Sequence, residues 1–146
     1  MKIKKEKGFT IIELLVVVAI IAVLAAIVLV NVTQYINKGK DAAIKGNMAT
    51  ILTNMAVHYD DNGDYSTFEA SSGFTVPQAA ITSAGKVVLV GLKTNTNDQI
   101  CACSTLFDTT NNTYCVDYTG YKKQTNTACG TRCADGLLAA SGACSD

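Results

Sequence analysis

The chain changes its pattern of hydrophobic residues near residue 32. In the 22 residues from Phe9 to Val30 the only polar side chains are Thr10 and Glu13. As a helix rising ~1.5 Å per residue, this run is long enough to cross a bilayer core of ~30 Å. Four lysines within residues 2–7 precede it, and a short basic flank of this kind stays on the cytoplasmic side. The pattern predicts a membrane-spanning helix with the rest of the chain outside.

Beyond Val32 the apolar residues recur mostly at three- and four-residue spacing, which indicates an amphipathic helix. These positions are Ile36, Ile44, Met48, Ile51, Leu52, Met55 and Tyr59. No helix breaker separates this segment from the membrane segment, so we expect one helix from about Phe9 to about Tyr59. The turn-forming run at residues 60–64 ends it, and Gly63 suits the left-handed position after a helix.

Strand-forming residues follow a connector at residues 65–84. The connector is rich in small and polar residues and contains Pro77, so we expect it to be irregular. Residues 86–92 are rich in valine and leucine, and weaker strand candidates lie at 100–107 and 113–118, joined by a hairpin loop at 108–112. Little secondary structure is expected after Gly120.

All six cysteines lie beyond residue 100, at Cys101, Cys103, Cys115, Cys129, Cys133 and Cys144. In a domain outside the membrane, an even number of cysteines indicates disulfides, although the sequence does not choose among the many pairings. Cys101 and Cys103 lie on one face of the same predicted strand, so each needs a partner elsewhere.

A zinc site formed by Cys101, Cys103, Cys129 and Cys133 is an alternative to disulfides. The C-x-C spacing fits structural zinc poorly, and the expected location is oxidising. We therefore predict no metal and no other cofactor.

Together these patterns predict an α+β fold. A long N-terminal helix, transmembrane in its first half and amphipathic in its second, packs on a small antiparallel β-sheet with a disulfide-pinned C-terminal loop region. The length of 146 residues and the hydrophobic content of 49% suit one modest domain plus the membrane helix. Twelve basic and twelve acidic residues leave no net charge and no basic stripe, so nucleic-acid binding is not predicted.

No arrangement of residues indicates catalysis, so we predict no enzyme and no catalytic residues. His58 is the only histidine and is expected to be a surface or capping residue. Asp60, Asn62 and Asp64 have the one-three-five spacing of a calcium loop. The glycine and glutamate that such a loop needs at its sixth and twelfth positions are missing, which favours a plain helix end.

Glu13 needs an explanation, because a carboxylate within a spanning helix costs ~2.5–3.5 kcal/mol on insertion scales. It either lies near the interface or is protonated, or it pairs with a cation at the same depth. Cleavage after Gly8 would create that cation, the α-amino group of Phe9. The run Gly8-Phe9-Thr10-Ile11-Ile12-Glu13-Leu14-Leu15 after a lysine-rich leader resembles the N-terminal signature of type IV pilins and type II secretion pseudopilins.

The resemblance, which covers about 50 residues, implies a processing pathway and a set of domains. A prepilin peptidase would remove residues 1–8 after Gly8 and methylate Phe9, and Glu13 would neutralise the N-terminus of a neighbouring subunit. Residues 9–60 would then be the long helix, with 9–32 as its transmembrane or filament-core part, and residues 61–146 the globular head.

Partners and location follow from the same resemblance. The implied partners are further copies of the chain, the prepilin peptidase, the pilus assembly platform and, before assembly, the membrane. The chain would be single-pass in the cytoplasmic membrane with its N-terminus inside and its head outside, and would later form part of an extracellular pilus. The resemblance also implies a near-terminal disulfide between Cys133 and Cys144.

Two alternative functions remain open. One is a pseudopilin acting as a short piston in type II secretion, which a calcium-binding C-terminal loop and the absence of long fibres would distinguish. The other is a membrane-anchored binding protein that never polymerises, and it would tolerate the loss of Glu13. The cysteine-rich C-terminal region resembles pilins more than pseudopilins.

Overall fold

A computed structural model describes residues 8–92, 98–133 and 144 of the chain. In chain order the elements are α1 (Ile11–Asn62), a 3-10 turn (Phe68–Ala70), α2 (Ser72–Ser83), β1 (Val88–Leu92), β2 (Ile100–Thr105), β3 (Thr113–Asp117), β4 (Lys122–Thr125) and α3 (Cys129–Arg132). The chain forms two compact units, residues 1–36 and 37–146. The predicted α+β fold, with a long N-terminal helix and a small antiparallel sheet, is confirmed.

The first unit contains the apolar part of α1. No glycine or proline interrupts residues 9–36, so nothing in the sequence breaks the helix there. Every described side chain from Phe9 to Ile36 is exposed. By length and composition, α1 is the one helix in the described ranges that is able to span a membrane.

In the second unit, α1 is amphipathic, as its spacing predicts. Its buried face consists of Asp41, Ile44, Met48, Ile51 and Met55. The helix ends at Asn62, close to the predicted end. Gly63 follows with a φ of 78°, and its amide donates to the Tyr59 carbonyl at 2.8 Å. Glycine adopts this left-handed conformation without steric strain.

The sheet has the order β1-β2-β3-β4, with all neighbours antiparallel. The three predicted strands are present, and the predicted hairpin loop at 108–112 lies between β2 and β3. Alternation along β2 separates two layers, because successive side chains point to opposite faces. Ile100 and Ala102 join the core that includes the buried face of α1, whereas Cys101 and Cys103 join a cluster of cysteines.

The connector at residues 65–84 is not irregular, contrary to the prediction, because it contains the 3-10 turn and α2. The buried residues of α2 are Phe74, Pro77 and Ile81, which are spaced for one helical face. Pro77 has no N–H to donate to the Gly73 carbonyl one turn earlier. The Asn54 side chain on α1 donates to that carbonyl instead, at 2.6 Å, and this compensation explains how a proline is accommodated inside the helix.

The prediction of little secondary structure after Gly120 is also wrong. Strand β4 pairs with β3 along Lys122–Thr125, and α3 forms a single helical turn at Cys129–Arg132. Lysine and other polar residues are typical of an edge strand, where one side of the backbone faces solvent. A strand of this composition lacks the apolar alternation that sequence analysis depends on.

Asp41 connects α1 to the loop between β2 and β3. This side chain is 7% exposed. Its Oδ1 atom accepts a hydrogen bond from the Phe107 amide at 2.6 Å, and Oδ2 accepts one from the Asp108 amide at 2.9 Å. Bonds to an ionised acceptor are stronger than neutral ones, so this carboxylate fixes the loop on the helix.

We predict that Asp41→Ala lowers the free energy of unfolding of the second unit by about 2–4 kcal/mol, because two amides lose a charged acceptor. Urea unfolding of the full chain in detergent, followed by circular dichroism, measures the change. Asp61→Ala, at an exposed position of the same helix, is the matched control and should change stability by less than about 0.5 kcal/mol. Equal effects of the two substitutions would contradict this role for Asp41.

Candidate functional site

The first candidate site lies at the start of α1, where Thr10 and Glu13 form a capping box. The Glu13 Oε2 atom accepts hydrogen bonds from the Thr10 amide at 2.8 Å and from the Thr10 hydroxyl at 2.7 Å. In return the Glu13 amide donates to Thr10 Oγ1 at 3.3 Å. This reciprocal arrangement satisfies amides that the first turn of a helix leaves free, and it places a carboxylate at the positive end of the helix dipole.

This local role of Glu13 was not predicted from the sequence. The signal was the T-x-x-E pattern directly before an apolar run, which is a known helix start. The structure places Gly8, Phe9 and Glu13 together on an exposed segment. Cleavage after Gly8, methylation of Phe9 and pairing of Glu13 with a neighbour stay predictions.

The apolar surface of α1 begins at this site. Between Ile11 and Leu24 the helix carries shallow apolar grooves. The large side chains there are more than two-fifths exposed, and Leu15 is 66% exposed. Exposed grooves lined by apolar side chains are suited to contact lipid or other apolar helices.

The second candidate site is the cysteine cluster on the other face of the sheet. The structure joins Cys101 to Cys133, Cys103 to Cys129 and Cys115 to Cys144, with Cα–Cα distances of 5.8, 5.4 and 6.2 Å. All six cysteines are buried.

Matching spacings explain two of these pairs. Cys101 and Cys103 are two residues apart on β2, a span of about 6.6 Å. Cys129 and Cys133 are four residues apart around α3, a rise of about 6 Å. One helical turn can therefore present both of its cysteines to the two on the strand.

The expected disulfide between Cys133 and Cys144 is wrong, because each is paired with a different strand. Cys115 lies directly opposite Cys103 in the β2–β3 register, and it takes Cys144. The zinc alternative needs four thiolates, but its four cysteines are joined as two disulfides. A different set of sulfur atoms, those of Cys101, Cys115, Cys133 and Cys144, lies within 4.8 Å of one another. In this set the Cys115 and Cys133 Sγ atoms are 3.7 Å apart.

Asp117 is a fully buried carboxylate beside this cluster, and the sequence analysis did not identify it. Its Oδ1 atom accepts hydrogen bonds from the Thr119 amide and hydroxyl and from the Tyr121 amide. Its Oδ2 atom accepts one from the Cys144 amide at 2.7 Å. Asp117 and the Cys115–Cys144 disulfide therefore hold Cys144 on β3 by two independent links.

The residues of the calcium alternative do not converge. Asp60 and Asn62 lie within α1, and the Asn62 side chain donates to the His58 carbonyl at 2.9 Å. The Asp64 carboxylate accepts from the hydroxyl and amide of Ser66, and these bonds lower the pKa of Asp64. The His58 ring is half-buried with its edge toward Phe68, at a centroid distance of 5.3 Å.

Asp108 has a similar local role in the β2–β3 loop. Its Oδ1 atom accepts from the Thr110 and Asn111 amides, at 2.8 and 3.2 Å. These bonds favour the ionised form and lower the pKa of Asp108. Burial acts in the opposite direction at Tyr65 and Tyr114, where it raises the pKa of each hydroxyl.

We predict that Cys144→Ala lowers the free energy of unfolding by about 3–4 kcal/mol, because the lost bond closes a loop of 29 residues. Digestion of the unmodified chain at its aspartates without reduction, followed by mass spectrometry, should join the fragment that holds Cys115 to the one that holds Cys144, and the fragment with Cys101 and Cys103 to the one with Cys129 and Cys133. Lys122→Ala, at an exposed position of β4, is the control and should leave the free energy of unfolding nearly unchanged. A Cys133–Cys144 peptide as the main product would contradict this pairing.

Stability should also depend on pH through Asp108. Because the pKa of Asp108 is lower in the folded state, its stabilising contribution is present above the unfolded pKa of ~3.9 and is lost as pH falls through the folded value. Thermal unfolding between pH 2 and 6 measures this, and Asp108→Asn should flatten the acid limb. An unchanged acid limb in that variant would contradict the assignment.

Known proteins share the N-terminal pattern of this chain. The family described as the prokaryotic N-terminal methylation motif matches residues 3–29. The type IV major pilin protein PilA of Myxococcus xanthus is 36% identical over 70 residues, which cover 48% of this chain and 32% of that protein.

Two further relatives are named as pilins or pilus components. The type IV wide pilus major component PilA4 of Thermus thermophilus is 32% identical over 47% of this chain and 52% of that protein. The type IV major alpha-pilin of Moraxella bovis is 48% identical over 30% of this chain and 28% of that protein. The chain thus matches about half or less of the length of these relatives, and no solved structure matches it significantly. The motif at its start and the relatives named as pilins show that the N-terminal part of this chain is similar to type IV pilins.

Proposed function

We propose that this chain is a structural subunit of a type IV pilus-like surface filament, polymerised through α1. The observation that carries this proposal is the apolar part of α1, whose described side chains from Phe9 to Ile36 are all exposed in a single copy. Such a surface needs a cover of similar chemistry. The membrane is that cover before assembly, and the helices of other copies are the cover afterwards.

Glu13 would act at the contact between copies. After cleavage at Gly8, the α-amino group of Phe9 in a neighbouring copy is a cation at the depth of this carboxylate. Both bonds from Thr10 go to Oε2, and an ionised carboxylate has two oxygens that can each accept. Oε1 can therefore accept from the neighbour's ammonium group while the capping box stays intact.

The remaining roles follow from this arrangement. The leader lysines would keep the N-terminus inside, so the head would lie outside, where its three disulfides suit an oxidising compartment. A prepilin peptidase would process the leader and methylate Phe9, and an assembly platform would add the subunits to the filament.

Intact mass spectrometry of protein sheared from the cell surface tests processing and export together. We expect the mass of a chain that begins at Phe9, carries one added methyl group and gains six hydrogens on reduction, two for each disulfide. A full-length chain retained in the membrane with free thiols would contradict the proposal and favour the anchored binding protein. Electron microscopy of the same material distinguishes long fibres from the short assembly expected of a pseudopilin.

We predict that Glu13→Ala strongly reduces the yield of filaments and leaves membrane insertion and leader cleavage intact, because the cation of a neighbour loses its partner. Filaments in the sheared fraction and processed protein in the membrane fraction are both measured by immunoblot.

Glu13→Gln is the matched control for the capping box. Glutamine can still accept from the Thr10 amide, as in other capping boxes, but it carries no charge. If charge pairing is the role of Glu13, both variants lose filaments. Normal filaments from Glu13→Gln would show that helix capping is its role and would contradict charge pairing.

A further inference from the structure

The side of α1 that faces away from the core of the second unit has an unusual composition. Its residues recur at three- and four-residue spacing, and all are exposed. We call them the outer face of α1: Gly39, Ala43, Gly46, Thr50, Thr53 and Val57. The exposed side of an amphipathic helix normally carries charged residues. Here no charged residue occurs anywhere from residue 46 to residue 59.

The glycines of the outer face are not required by any close contact among the described residues. Within the described part of the chain, no atom lies within 4 Å of a Cβ atom added at Gly39 or Gly46. Glycine in a helix interior is nevertheless unfavourable relative to alanine. A glycine on an open helix face is useful when a second backbone approaches closely.

The hydroxyl groups of the outer-face threonines already donate hydrogen bonds within the helix. The Thr50 hydroxyl donates to the Gly46 carbonyl at 3.2 Å, and the Thr53 hydroxyl donates to the Ala49 carbonyl at 3.2 Å. Since these donors are already used inside the helix, burial of the outer face would leave neither of them without a partner.

Opposite charges stand at the two ends of this face. Lys38 and Lys40 lie at its start, and the Lys40 Nζ atom lies 5.0 Å from the centroid of the Phe107 ring. Lys86 lies over the same ring at 4.2 Å, which adds a third cation to this end. Asp60 and Asp61, both exposed, lie at the other end. No lysine or arginine occurs from residue 46 to residue 85.

These two groups of charges cannot neutralise each other within one copy. They are about 20 residues apart on one helix, or ~30 Å at ~1.5 Å per residue. Charges in solvent are largely screened beyond a Debye length of about 8–10 Å. A second copy displaced along the helix by the same distance brings one group opposite the other.

We infer that the outer face of α1 is a contact surface for a second copy of this chain, displaced so that Lys38 and Lys40 of one copy meet Asp60 and Asp61 of the other. This contact rests on the proposed function, and it repeats head to tail, as a filament requires. The uncharged face between the charges accepts apolar side chains of a neighbour.

A size substitution tests the close approach. Gly46→Leu should leave the melting temperature of the detergent-solubilised full chain unchanged or raised, since leucine favours helix and the site is open. In cells it should reduce sheared filaments by about tenfold or more, because overpacking a close contact is unfavourable. Ala79→Leu, at an exposed position of α2, is the matched control and should keep filaments. Normal filaments from Gly46→Leu would overturn the proposal.

Charge reversal tests which partner covers the face. Lys38→Glu with Lys40→Glu, and separately Asp60→Lys with Asp61→Lys, should each reduce filaments by about tenfold or more. The chain with all four changes should recover them, because its two ends are again complementary. If another protein covered the face, the fourfold variant would stay defective, since that partner's charges are unchanged. This result would overturn the proposal.

Co-expression of the two double variants is a further check. Each carries one sign of charge at both ends, so filaments should form only from both together and contain both.

Lys122→Glu on exposed β4 is the charge control and should keep filaments. A loss as large as in the test variants would overturn the assignment to α1. An absence of filaments from the unmodified chain would refute the proposed function itself. Normal filaments from every variant would refute only this contact.

Discussion

Burial of the apolar side chains of α1 is a requirement that one copy of the chain cannot meet alone. The described residues from Phe9 to Ile36 expose their side chains, and removal of apolar surface from water is worth roughly 25 cal/mol per Å². Lipid and the helices of other copies are the two environments with matching chemistry. In the proposed filament, a chain that moves from lipid to a contact with other helices would gain little from the hydrophobic effect, so packing and polar contacts would decide assembly.

At the start of α1, hydrogen bonds reduce the cost of placing the Glu13 carboxylate in apolar surroundings. Thr10 supplies two donors to the Glu13 carboxylate, and a carboxylate that has hydrogen-bond partners is less costly to remove from water than a bare one. Both of these bonds go to one oxygen of the carboxylate, Oε2. The capping hydrogen bonds and the proposed pairing with a neighbour are therefore compatible, because the pairing would use the other oxygen, Oε1.

The second unit is a small domain with a limited core, and other links add to its stability. One face of α1 packs in the core with strands β2 and β3, and the opposite face of the sheet is covered by disulfides. Two buried carboxylates, Asp41 and Asp117, accept hydrogen bonds from backbone amides of loops and of Cys144. These links fix the β2–β3 loop on α1 and Cys144 on β3.

The sequence determined the parts of this protein that depend on local pattern and composition. The 22-residue apolar run and the three- and four-residue spacing after it predict α1, Gly63 marks its end, and the valines of β1 and the alternation in β3 predict strands. Each of these signals is contained within one element, so no knowledge of distant contacts is needed.

Only the tertiary structure decided the features that depend on contacts between elements. Helix α2 accommodates Pro77 because Asn54 of α1 donates a hydrogen bond to the Gly73 carbonyl, for which the proline has no N–H. Polar β4 is a strand because β3 offers an edge to pair with. Two of the disulfide pairs depend on a helical turn lying over β2. The outer face of α1 is defined by the burial of the opposite face. Sequence spacing places residues on a face, but the partner of that face is set by the packing of the whole chain.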